Sequence, residues 1–173
     1  MLTNANGKMA LRGIKIRLDH IAYRVPNRDE TVDHLTKMFG YEVGEEFTID
    51  FDDGSKAECK ALVETSLPEV FVSQGSSGSI VEKWIKNTPN GQGGIHHLAY
   101  KVNDIDPIFK KWKDAGIEFL TENVIDCPDD DLRQIFTKPQ PLLGGVIIEL
   151  IERGDKGFCK NSVKELMEAT SDD

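Results

Sequence analysis

An α+β fold built from two paired βαβββ modules is what this sequence predicts, on three observations. The stretch His20 to Val25 reads H-I-A-Y-R-V and returns as H-L-A-Y-K-V at His97 to Val102, differing only by Leu for Ile and Lys for Arg. Each copy alternates with the two-residue period of a β-strand. Each copy also leads into a helical pattern that stops at a glycine, Gly40 in one half and Gly116 in the other, at nearly the spacing of the two histidines. Three further strand candidates follow the helix in each half. A duplicated strand carrying a histidine at the same place in each copy implies a pseudo-two-fold axis, so His20 and His97 are expected to converge on one site.

In chain order, a strand is expected from Lys15 to Val25. The helix Asn27 to Phe39 has Asn27 as its cap, Glu30 three residues on, and Val32, Leu35, Met38 and Phe39 as its apolar stripe. Gly40 stands where a left-handed terminating glycine belongs. Strands follow at Tyr41 to Phe51, Lys56 to Val63 and Glu69 to Ser73, with Asp52-Asp53-Gly54 turning the first two into a hairpin. A short amphipathic helix at Ile80 to Ile85 puts Trp84 on its apolar side. The second half repeats the order. The strand His96 to Val102 precedes a helix with Asp106 as cap and Pro107 at its first position. Strands are then expected at Ile117 to Asn123, Leu132 to Thr137 and Gly145 to Glu152, with the acidic stretch Asp126 to Asp131 as a solvated turn. A last helix, capped by Ser162 with Glu165 three residues on, carries Val163, Leu166 and Met167. The division is thus a loose leader (1–13), a first module (14–75), a linker with a short helix (76–94), a second module (95–153) and a C-terminal lid helix with its tail (154–173).

Composition narrows the function classes. A chain of 173 residues can bury one sizeable core or two small modules that share one. Its net charge of −9 speaks against nucleic acid, which needs clustered Lys and Arg. No apolar run is long enough to span a membrane, and the first residues lack the apolar core of a signal peptide. Cys59, Cys127 and Cys159 are an odd, scattered set, expected to be free thiols in a reducing compartment. A cytoplasmic protein acting on a small molecule is the expectation.

The chemistry-bearing residues are His20, His97 and Glu149. The last strand, G-V-I-I-E-L-I, sets Glu149 in an otherwise apolar run, where a carboxylate has to be paired or metal-bound because burying it alone is very costly. Two His and one carboxylate form a facial triad that holds a divalent metal and leaves coordination positions open. His96 is expected on the opposite strand face from His97, and His34 on an exposed helix face.

Paired βαβββ modules of this kind resemble the vicinal oxygen chelate (glyoxalase/bleomycin resistance/dioxygenase) superfamily, over roughly residues 15–153. That resemblance implies a curved mixed sheet around a central metal site. Within the superfamily, L-R-Q-I-F-T-K-P at Leu132 to Pro139, F-T-I-D at Phe47 to Asp50, and the closing I-E-R-G-D-K-G-F-C-K-N-S-V-K-E-L-M-E-A are similar to the C-terminal half of the 4-hydroxyphenylpyruvate dioxygenases. This implies Fe(II) held by His20, His97 and Glu149, with Gln134 orienting substrate and Phe136 lining the pocket. E-V-F-V-S-Q at Glu69 to Gln74 departs from that family's P-x-N-E strand, and three single positions depart as well. His96 replaces a glutamine, Ile148 replaces a clamping aromatic ring, and Val163 replaces a lid-helix phenylalanine. His96 and Ile148 are accordingly the expected substrate-contacting positions.

G-G-I-H-H-L-A-Y-K-V and G-G-V-I-I-E-L also resemble the methylmalonyl-CoA epimerases. That likeness implies a fourth ligand and catalytic carboxylate, Glu69, unless a two-residue slip puts Phe71 in its place. Four ligands suit Co(II), Mn(II) or Zn(II) acting on an enolate, whereas three suit Fe(II) and oxygen. The expected function is Fe(II)-dependent dioxygenation of a small 2-oxo acid or similar chelator. The alternatives are a metal-assisted proton-transfer isomerase and a metal-free ligand-sequestering protein of the bleomycin-resistance type. A homodimer is an expectation from the superfamily alone.

Overall fold

The computed structural model describes residues 15–127, 129, 131–154 and 157–170, so the leader expected at 1–13 lies outside the described residues. The first half runs β1 (Ile16–Arg24), α1 (Arg28–Phe39), β2 (Glu42–Asp50), β3 (Lys56–Val63) and β4 (Glu69–Gly75). Helix α2 (Ile80–Asn87) links it to β5 (Gly94–Val102), α3 (Asp106–Asp114), β6 (Ile125–Cys127), β7 (Leu132–Phe136), β8 (Ile147–Arg153) and α4 (Lys160–Ala169). The strands form one sheet in the order β2-β3-β4-β1-β5-β8-β7-β6. That order is symmetric about the β1–β5 seam, with β4 parallel to β1 and β8 parallel to β5. It is a curled mixed half-barrel, as the repeat predicts.

The two faces of the sheet are buried by different helices. Val32 of α1 packs with Val25, Tyr41, Leu62, Val70 and Val72, and Ile108 of α3 packs with Val102, Ile105, Ile135 and Leu150. On the other face, Ala22, Phe47, Phe71, Val81, Ile85 and Met167 pack together beneath α2 and α4. Strand alternation sorts side chains between the two: Ile135 goes to the α3 side, while Gln134 and Phe136 go to the α4 side. Asn27 caps α1 by accepting the Glu30 N–H at 3.1 Å, and Gly40 closes it at φ 77°. The stripe on α1 is buried only at its start, since Met38 and Phe39 are about half exposed.

Four expectations need correction. Ile117 to Asn123 forms no strand. Phe119 turns onto Phe109 of α3 (4.8 Å between ring centres) and keeps a single bridge to Thr137, so the sheet edge passes to β6, which overlaps the start of the stretch expected to be a solvated turn. Asp106 does not cap α3. Ile105 occupies the cap, its N–H donating to the Glu152 carboxylate at 2.5 Å, and Asp106 is drawn to Arg133 at 2.9 Å. Helix α4 begins at Lys160 with Cys159 at its cap, leaving Ser162 buried in the first turn. The thiols are not all free: Cys127 of β6 and Cys159 are joined as a disulfide, and Cys59 alone is free and buried. The sequence hid this pair because the two come together only when α4 folds back over the sheet.

The disulfide fixes the root of α4 to β6. Protein denatured without reductant is expected to show one reactive thiol per chain, from Cys59, in a colorimetric thiol assay. Reduction should cost about 2–4 kcal/mol of unfolding free energy in a urea titration. Three reactive thiols before reduction would contradict the pairing.

Candidate metal centre

Each half supplies a His-x-Ala triplet at the seam, and antiparallel pairing sets each histidine opposite the other module's alanine: His20 opposite Ala99, and His97 opposite Ala22. The alanines leave the room the two imidazoles occupy. Glu149 of β8 lies beside Ala99 in the parallel register. The three side chains meet, with His20 Nε2 3.3 Å from His97 Nε2 and each of these nitrogens 3.4 Å from Glu149 Oε2. All three are buried, and their candidate ligand atoms lie within 4.8 Å of one another. The second Glu149 oxygen, Oε1, has no hydrogen-bond partner among the described residues. Two imidazole nitrogens and a carboxylate with an orphaned oxygen, all converging in a buried space, fit a divalent cation.

Two β-bulges orient the histidines. The β1–β5 register slips by one residue at Asp19 on β1 and by one at His96 on β5, in each case just before the clustered histidine. A bulge turns the extra residue toward its neighbour's side. Asp19 Oδ2 thus reaches His20 Nδ1 at 3.1 Å, and His96 Nδ1 lies 2.9 Å from His97 Nδ1. His96 therefore lines the same cavity as His97, contrary to the strand-alternation expectation. Partners at Nδ1 fix ring orientation and leave Nε2 for the cation. Arg153 holds Asp19 at 2.9 Å and packs on the Phe158 ring at 5.2 Å.

Electrostatics reflect this burial. Burial alone would lower the pKa of His20, but the carboxylates of Glu149 and Asp19 push it up to about 9. Burial, reinforced by charge on His20, holds His97 well below the usual imidazole range. Glu149 is raised by burial, against the pull of His20. Without a cation, one proton shared around His20 and Glu149 offsets the buried charge.

The other expected site residues separate into two groups. Gln134, Phe136 and His96 line the cavity, with Phe136 edge-on to His97 at 5.8 Å. Glu69 and Ile148 do not. Glu69 pairs with Arg153 at 2.8 Å and stands outside the cluster, two residues before Phe71. Phe71 is the register equivalent of Glu149, since it lies beside Ala22 as Glu149 lies beside Ala99. The apolar ring thus occupies the place a fourth ligand would take. Ile148 alternates away from Glu149, to the opposite face of β8, where its N–H donates to Thr137 Oγ1 at 3.0 Å. His34 is exposed, as expected.

Sequence reasoning missed Arg24, Asp19 and Phe158. Phe158 lies edge-on to His20 at 5.0 Å and is 5.1 Å from Phe71. With Val163, Leu166 and Met167 of α4 it forms one wall of the cavity over the cluster. Arg24 was legible as the third residue of the His20-Ala22-Arg24 face, but its burial was not.

The sequence profile of the glyoxalase/bleomycin resistance protein/dioxygenase superfamily matches residues 19–136. The chain belongs to that superfamily. Members bind divalent metals and are generally enzymes. Methylmalonyl-CoA epimerase of Dictyostelium discoideum is 29% identical over 143 residues, covering 79% of this chain and 78% of the epimerase. Among solved structures, a triple mutant of 4-hydroxymandelate synthase from Streptomyces coelicolor superposes with a TM-score of 0.78 at 20% identity, covering 91% of this chain. This chain spans 54% of the synthase, about half its length. Methylmalonyl-CoA epimerase from Mycobacterium tuberculosis superposes with a TM-score of 0.63 at 21% identity, over 87% of this chain and 96% of the epimerase. Both superpositions establish the fold. No described helix is long and apolar enough to cross a membrane.

Two outcomes are expected from metal titrations of purified protein. His97→Ala should lose stoichiometric Zn(II) or Fe(II), whereas Glu69→Gln should keep it; loss in Glu69→Gln would restore Glu69 as a ligand. Because the cation must displace a proton held up to about pH 9 at His20, apparent affinity should rise about tenfold per pH unit from pH 6.5 to 9. Calorimetry in buffers of different ionisation enthalpy would count the released proton.

Proposed function

We propose that this protein is a three-ligand metal enzyme, with His20, His97 and Glu149 as the ligands, that carries out Fe(II)-dependent dioxygenation of a small chelating substrate such as a 2-oxo acid. The observation that carries the reading is Phe71 in the position equivalent to Glu149. It leaves three protein donors, and so leaves open positions for a bidentate substrate and oxygen. When bound, Fe(II) would supply Lewis acidity to the chelated oxygens and electrons to dioxygen.

The chain's own residues would do the rest. Gln134, buried in the cavity wall, would orient the substrate through its amide. Phe71, Phe136 and Phe158 would exclude water and offer no competing acid or base. Helix α4 covers the cavity through Val163, Leu166 and Met167 and is rooted by the Cys127–Cys159 disulfide, so it would act as a lid.

One observation favours a second reading, proton-transfer isomerisation on an acyl thioester: the 29% identical epimerase. That chemistry needs a base at the substrate. Among the described residues Glu149 is the one carboxylate in the cavity lining, while Glu69 and Asp19 pair with Arg153. A metal-free ligand-sequestering role would leave the buried His20, His97 and Glu149 without a purpose, and metal analysis would test it.

Anaerobic reconstitution with Fe(II), followed by oxygen-electrode measurements against a panel of 2-oxo acids, tests the proposal. Substrate-dependent oxygen uptake of at least tenfold over background is expected, and Gln134→Ala should lower it by about 10–100-fold. No uptake, together with metal-dependent deuterium exchange into methylmalonyl-CoA, would overturn it in favour of the isomerase.

A further inference from the structure

Arg24 is an unusual residue to find in such a cavity. It is 2% exposed, yet no carboxylate pairs with it among the described residues. Its Nη2 donates to Thr170 Oγ1 at 2.9 Å, and its guanidinium packs on Trp84 at 5.6 Å from the ring centre. Its Nη1 has no partner among the described residues. A buried guanidinium without a counter-charge is costly, so an anion arriving at it would be favoured.

His96 brings a second donor to the same place. It lies edge-on to the Trp84 ring at 5.3 Å and lines the same cavity as Arg24. Its tautomer follows from the metal site. If His97 presents the Nε2 lone pair to a cation, its proton resides on Nδ1 and donates to His96 Nδ1 at 2.9 Å. Neutral His96 then carries its own proton on Nε2, another buried atom without a partner among the described residues. Arg24 Nη1 and His96 Nε2 are then both hydrogen-bond donors, and both are unsatisfied.

We propose that Arg24 and His96 form an anion-binding subsite at the end of the cavity away from the metal, and that it receives a carboxylate at the far end of the substrate. This rests on the three-ligand metal reading above, because the His96 tautomer is set through His97. Arg24 follows His20 by four residues on one strand face, a backbone rise of about 13 Å, and the small Ala22 lies between them. The subsite is nearer than that rise, because His96 Nδ1 lies 2.9 Å from His97 Nδ1 and Arg24 packs on the Trp84 ring that His96 also meets. A substrate that chelates at one end and carries a carboxylate a few carbons away would reach it. The substrate class narrows from 2-oxo acids in general to those with a second, distal acid group.

The test uses full-length protein loaded with Zn(II), which permits chelation without turnover, and a matched pair of probes. These are 2-oxoglutarate and 2-oxopentanoate, of equal chain length, one ending in a carboxylate and the other in a methyl group. Calorimetry is expected to show the dicarboxylate binding at least about tenfold tighter, the preference vanishing in Arg24→Met and surviving in part in Arg24→Lys. Long-range nitrogen-proton NMR on the unsubstituted protein should show the His96 Nε2–H signal moving with 2-oxoglutarate and not with 2-oxopentanoate. Equal affinities, a preference that persists in Arg24→Met, or an unmoved His96 signal would each overturn the subsite. Failure to take up Zn(II) at one per chain would overturn the metal reading and the subsite with it, and is recognisable because it precedes any probe.

Discussion

The whole site depends on how β1 and β5 pair. Two copies of one strand meet antiparallel, each His lies opposite the other copy's Ala, and each strand carries a bulge one residue before its His. Removing either bulge would shift the following residues by one and flip them to the other face. The pairing alone would bring two imidazoles together. The bulges add Asp19 and His96 as the groups that orient them.

Burial then imposes the chemistry. Glu149 is 1% exposed and has an orphaned oxygen, and an isolated carboxylate at such a place would not remain ionised. A proton on His20 offsets it in the metal-free protein, and a divalent cation is the stronger partner for the same three donors. The two modules have diverged around this point. The second gives Glu149, Gln134 and Phe136. The first gives Phe71 where symmetry would put another carboxylate, and Arg24 where the second module has Lys101, whose side chain lines the outer clefts instead. The disulfide between Cys127 and Cys159 lets the second module also fix the root of α4, which closes over both halves.

Much of this was legible in the sequence because a repeat doubles every signal. H-x-A-x-[RK]-V in two copies located the seam, and Glu149 stood out as a charge inside an apolar run. The features that stayed hidden are those that depend on register. A bulge has no residue signature here, so strand alternation sent His96 to the wrong face. The two-residue choice between Glu69 and Phe71 depends on how β4 lies beside β1, which no local pattern reveals. Cys127 and Cys159 meet through a long-range fold of α4, and the spacing of Ser162 and Glu165 imitated a cap two residues inside the helix that forms.

The central claim is a cation held by two histidines and one carboxylate, with the fourth place closed by an aromatic ring. X-ray absorption at the metal edge of the Fe(II)-loaded protein tests it most directly. The account predicts one iron per chain in a six-coordinate, light-atom shell, with multiple scattering that fits two imidazoles and loses one of them in His20→Asn. A shell with sulfur, or one that fits four protein donors and is altered by Glu69→Gln, would contradict it.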